Sequence, residues 1–139
     1  MVTPQTRRKQ ILRWIRVWRD RLGVGDWKVE VEWDKKLGRN THGYQVAARC
    51  YAQPKYRQAS LEFSPVVNTA YQDKEGLEKL VLHELAHCVT EETLEAAFES
   101  SSNIKMSKEV RAQFESWVRQ ANEAETEALA RALWKAYKK

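Results

Sequence analysis

The chain has 139 residues and a mass of 16.3 kDa, room for one domain at roughly 100–200 residues each and none for a second catalytic domain. Hydrophobic residues make up 42% and charged residues 31%, too apolar and aromatic for a disordered chain, and aliphatic runs as short as Leu80-Val81-Leu82 cannot span a bilayer, which takes about 20 residues. The net charge is +5, and the excess sits in residues 1–22, which hold seven Arg/Lys against one Asp, so the remainder of the chain is nearly neutral.

Arg7, Arg8 and Lys9 are not followed by the apolar stretch and small-residue cleavage site of a signal peptide. Cys50 and Cys88 are too few for a disulfide framework. The expectation is a cytoplasmic protein with two reduced thiols.

Thr3-Pro4 predicts a capped helix start, and Ile11, Ile15, Trp18 and Leu22, with Leu12 and Trp14 beside them, form one helical face that Gly23 ends. Lys9, Arg13 and Arg16 lie opposite. Trp27, Val29, Val31 and Trp33 alternate with polar residues as a strand with one wet face does. Residues 34–43, with Gly38, Asn40 and Gly43, predict a loop, and alternation resumes from Tyr44 through Val46, Ala48, Cys50 and Ala52. After a turn at Pro54-Lys55-Tyr56-Arg57 come Ala59, Leu61 and Phe63, so strands two and three predict an antiparallel hairpin. A helix starts near Asp73, runs through Leu77, Leu80, Val81 and Leu85, and fades around Val89. Residues 91–106 give no clear period. Ser107 caps a long last helix with a stripe of Phe114, Val118, Ala121, Ala128, Ala132 and Ala136. The order predicts a single α+β domain in which a small antiparallel sheet of about three strands packs on helices.

The informative residues are His83-Glu84-Leu85-Ala86-His87, an H-E-x-x-H pattern inside a predicted helix. Two His four residues apart lie one turn apart on one face, so both imidazoles can reach one Zn²⁺, while Glu84 between them approaches a water on the metal. Zinc lowers the pKa of such a water to about 7, and a carboxylate beside it takes the proton during attack on a carbonyl carbon, which is amide hydrolysis. With this composition the pattern arises by chance in under about 1% of such chains.

A catalytic zinc needs a third protein ligand. With Phe114 as the reference and about 100° per residue, Glu125 falls in the middle of the apolar stripe, and a carboxylate on a buried face needs a cation or a partner such as Arg. Glu125 is therefore the expected third ligand, whereas Glu123 and Glu127 point away from the stripe and stand, with His42, only as alternatives. His42, Tyr44, Tyr51 and Tyr71 are the candidates for stabilising an oxyanion. Cys88 points about 100° from His87 and reads as a packed thiol.

In these residues the chain resembles the gluzincin-type zinc peptidases, in which the H-E-x-x-H helix supplies two ligands and a later glutamate helix the third. Its size and element order look most like minigluzincins and the short metallopeptidases of bacteriophages and prophages. The segment Glu125-Thr126-Glu127-Ala128 is similar to the Glu-x-x-Ala ligand helix of ImmA/IrrE-type peptidases, although the Asn that commonly follows that Ala is Leu129 here. The resemblance covers about residues 27–136. It implies a zincin-like fold and a zinc-dependent endopeptidase with Zn²⁺ on His83, His87 and Glu125, Glu84 as general base, and a strand near the metal that pairs with an extended protein or peptide substrate.

The basic first helix keeps a second reading open, docking on nucleic acid by phosphate contacts, since SprT-like peptidases combine H-E-x-x-H with DNA affinity. Trp14 and Trp18 share the stripe of Ile11 and Ile15, however, and a solvated face is the usual meaning of such charge. The downstream third His of the SprT-like group is absent from this sequence. A third reading is a structural or regulatory protein that retains zinc for stability. Neither membrane association nor a particular oligomeric state is indicated.

Overall fold

The computed structural model describes residues 3–33, 47–68 and 73–138. Helix α1 spans Pro4–Arg21; the Thr3 hydroxyl accepts the Thr6 N–H at 3.2 Å, and Pro4 occupies the first turn, where its missing N–H costs nothing. Gly23, at φ 77°, ends it: the Val24 N–H reaches the Arg19 carbonyl and the Gly23 N–H that of Asp20, a pairing that needs a left-handed residue. Ile11, Trp14, Ile15 and Trp18 are buried, whereas Lys9, Arg13 and Arg16 face solvent. Lys9, Arg13 and Arg16 are thus available, whereas Arg7 and the two tryptophans of α1 are buried. Trp18 stacks on Trp134 with ring centroids 6.1 Å apart, and its indole N–H donates to the buried Glu78 at 3.0 Å, which also receives Lys138 at 3.0 Å.

Three strands follow, β1 (Lys28–Trp33), β2 (Ala48–Gln53) and β3 (Gln58–Phe63), in spatial order β1-β3-β2. As expected, β2 and β3 form an antiparallel hairpin, with Ala48 opposite Phe63 and Gln53 opposite Gln58; it turns through Pro54–Tyr56, with Arg57 left-handed at φ 51°. The sheet is mixed rather than wholly antiparallel, because β1 runs parallel to β3, Lys28 beside Gln58 and Trp33 beside Phe63. Alternation shows that a strand has one wet face but carries no information on the direction of its neighbour. The predicted loop at 34–43 and the beginning of strand two at Tyr44 lie outside the described residues.

Helix α2 (Lys74–Ser101) is capped by Asp73, whose carboxylate accepts the Glu75 N–H at 3.1 Å. It does not end near Val89 but continues to Ser101. Its first half is wedged between α1, the sheet and α3 and needs apolar residues all around, whereas beyond Val89 it is mostly exposed and carries Glu and Ala, good helix formers without an apolar period. Helix α3 (Lys108–Tyr137) starts at Ser107, whose hydroxyl accepts the Val110 N–H at 3.1 Å, and folds back along α2.

The face that α3 turns to α2 is polar. Its buried residues are Asn122, Thr126 and Ala130, while Ala121, Ala128, Ala132 and Ala136 are exposed. The Asn122 side-chain amide donates to the Thr90 carbonyl at 2.9 Å, and the Thr126 and Thr90 hydroxyls lie 2.6 Å apart. We expect Asn122→Ala to lower the unfolding free energy by about 1–2 kcal/mol, read as a shift of the urea midpoint at unchanged slope; no shift would mean that this bond does not hold the two helices together. The described structure is α+β, and no helix in it is long and apolar enough to cross a membrane.

Candidate metal centre

His83 and His87 occupy successive turns of α2, with side chains 21% and 13% exposed. Their rings stand nearly perpendicular, 5.1 Å between centroids, and both Nε2 atoms aim at one carboxylate on α3: His83 lies 3.4 Å from one oxygen of Glu123 and His87 3.1 Å from the other. The ligand atoms of His83, His87 and Glu123 all fall within 4.8 Å of one another.

The opposite ring nitrogens are also engaged. His83 Nδ1 is 2.9 Å from Glu127, one turn beyond Glu123, and Thr126 Oγ1 is 3.4 Å from His87 Nδ1. An imidazole that donates from Nδ1 keeps its lone pair on Nε2, the atom turned toward Glu123, and such outer partners fix the orientation of metal-binding histidines. Burial works against ionisation of Glu127, but its bonds to Arg131, at 2.8 Å, and to His83 prevail and hold its carboxyl below the usual range. Burial likewise lowers the pKa of His87 against the opposing pull of Glu123, which favours the neutral form a metal requires.

Glu84 is 7% exposed. Burial pushes its carboxyl up to about 7, with His83 lowering it and Glu123 raising it. A carboxylate poised near neutrality is suited to taking and returning a proton.

The third acid differs from the expected one. Glu125 is exposed, two residues and so about 200° around α3 from Glu123, and it does not reach the histidines. Glu123 takes that place and Glu127 supports it, both among the alternatives in the sequence. Alanine is small enough to sit on either face, so the alanine stripe does not mark the core side of α3; Asn122, Thr126 and Ala130, at intervals of four, do, as a helix face that buries uncharged polar groups. His42, Tyr44 and Tyr71 lie outside the described residues. Tyr51 is half-exposed on β2, and Cys88 is a buried free thiol, as expected. Cys88 shares a hydrogen bond with Cys50 that, together with burial, pushes the Cys50 thiol up.

His83, Glu84, His87 and Glu123 line an open groove of about 730 Å³. Strand β2 forms one wall, α2 the floor with His83, Glu84, His87 and Glu91, and α3 the other wall with Arg119 and Glu123. Among the described residues β2 pairs only with β3, and its residues Ala48–Gln53 line the groove together with the histidines. Two imidazole nitrogens and a carboxylate converging at the side of a groove form a donor set that can hold a divalent metal and leave a coordination position open. No family model, curated protein or solved structure matches the chain, so the functional reading rests on this geometry.

Proposed function

We propose that the protein is a zinc-dependent metallopeptidase of zincin-like architecture, with His83, His87 and Glu123 as the metal ligands and Glu84 as the general base. The observation that carries this reading is that the Nε2 atoms of two histidines on successive turns of α2 meet at one carboxylate of α3, with the buried Glu84 between them lining the same groove. A bound zinc supplies Lewis acidity, polarising a carbonyl and acidifying a water.

The remaining work falls to the chain. The edge of β2 that no described strand pairs with can hold an extended peptide by main-chain hydrogen bonds above the histidines. Glu84 takes the proton of the attacking water on its carboxylate and passes it to the nitrogen of the departing amine, which has to be protonated to leave. Glu127 and Thr126 keep the rings turned so that Nε2, not Nδ1, faces Glu123.

The test is cleavage of a mixed peptide library by purified protein, followed by mass spectrometry before and after removal of metal. Activity that disappears with a chelator and returns with one equivalent of zinc is the expected result. A zinc-loaded protein that leaves every peptide intact would overturn the hydrolytic reading.

A further inference from the structure

The groove does not stop at the histidines. Leu80, His83, His87 and Glu91 follow one another on α2 at intervals of three, four and four residues, a single face of the helix, and past His83 toward the start of α2 this face opens into a second cavity, of about 540 Å³, between α2 and α3. His83 lines both spaces. The second cavity is walled by Leu80, Leu82, Ala130 and Trp134, and its rim carries Lys79, Arg131 and Lys135, with Glu127 as the one acid among the described residues.

That acid is already committed to Arg131 and His83. Lys79 pairs with Glu75 at 2.9 Å and lies over the Trp134 ring, 5.1 Å from its centroid. Lys135 is exposed and has no partner among the described residues. The rim therefore has a surplus of positive charge. On the other side of the histidines the balance reverses, since Glu84, Glu91, Glu95 and Glu123 line the first groove against Arg49 and Arg119. A peptide lying across the metal centre passes from an acidic space into a basic-rimmed one with apolar walls.

We infer that the cavity between α2 and α3 is a specificity subsite that takes a large apolar side chain of the substrate whose neighbour in the peptide is acidic; this deepens the metallopeptidase reading and rests on it. Leu80 and Trp134 supply the apolar contact for that side chain, and Lys135 supplies the charge that selects the neighbour. The interaction is at the rim and solvated, so it shifts preference by several-fold rather than by orders of magnitude.

The probes are N-acetylated, C-amidated peptides that contain one Leu or Phe with Glu, Gln or Lys next to it on either side; capping removes terminal charges as a competing source of carboxylate. Cleavage by the zinc-loaded wild type and binding to the zinc-loaded Glu84→Gln variant, by anisotropy of labelled peptides, are measured in parallel. On one side of the apolar residue, Glu is expected to be favoured over Lys by about fivefold in both readouts, and Lys135→Glu, at an exposed position that leaves folding intact, is expected to erase or invert the preference. Equal binding of the Glu and Lys peptides, a preference that survives Lys135→Glu, or no peptide binding at all would overturn the subsite. A binding preference without cleavage of any peptide would uphold the subsite and overturn hydrolysis, while cleavage without preference would do the reverse.

Discussion

Replacing Glu84 by Gln is expected to leave zinc stoichiometry unchanged and to reduce peptide hydrolysis by about 10²–10⁴-fold, the usual contribution of a positioned acid–base group. The amide keeps the size of the side chain and cannot hold the proton. The same substitution has a second effect, of opposite sign, in the metal-free protein. Burial raises the folded-state pKa of Glu84 from 4.5 to about 7, so the folded protein binds this proton more tightly than the unfolded chain does. Its contribution to stability is complete below about pH 4.5 and is lost as pH rises toward 7, because the carboxylate must then be ionised inside the fold. Gln has no such loss. Metal-free Glu84→Gln is therefore expected to exceed the wild type in unfolding free energy by up to about 3 kcal/mol at pH 8, with the difference vanishing near pH 4. The lowered pKa of His87 acts in the opposite sense, costing stability as pH falls, but it is common to both proteins and drops out of the comparison. Urea titrations at the two pH values check the prediction; an equal difference at both would show that the carboxyl is not desolvated. Finding a stabilising substitution at the residue that activity needs most is the signature expected where function is maintained against stability.

The second large effect separates two neighbouring acids. Glu123→Ala is expected to weaken zinc binding by more than about 100-fold, beyond the usual loss for an outer-shell partner, whereas Glu125→Ala is expected to bind zinc as the wild type does. Elemental analysis of the three proteins after reconstitution and desalting reads this directly. Loss of zinc in Glu125→Ala alone would mean that α3 is rotated by about half a turn from the arrangement described. Absence of zinc from all three would remove the metal centre, and the proposed function with it.

The two cases also show what the sequence carried. His83, Glu84 and His87 were legible because their relation is local: a helix places residues four apart on one face whatever it packs against. The capping residues Thr3, Asp73 and Ser107 and the β2–β3 hairpin were legible for the same reason. The third acid was not, since its identity depends on the rotation of α3 about its own axis, a property of the contact between two helices. Apolar content is a poor guide to that rotation when the contact is made by Asn122, Thr126 and Thr90. The direction of β1 and the continuation of α2 beyond Val89 are likewise set by neighbours: the first by a strand distant in sequence, the second by the return of α3 along the helix.

Contacts between apolar helix faces tolerate sliding, because one aliphatic side chain can replace another a turn away. The contact between α2 and α3 has little such freedom. A slip of one turn would bring either Asn122 to the place of Thr126 with Arg119 at that of Glu123, or Ala130 to the place of Thr126 with Glu127 at that of Glu123. The first slip would put a cation before the histidines and Val118 where Asn122 now donates to the Thr90 carbonyl; the second would set Ala130 against the Thr90 hydroxyl and Arg131 where Glu127 now meets His83. Thr90, Asn122 and Thr126 thus act as a vernier for the helix pair, and which acid faces the two histidines follows from uncharged groups outside the candidate ligand set.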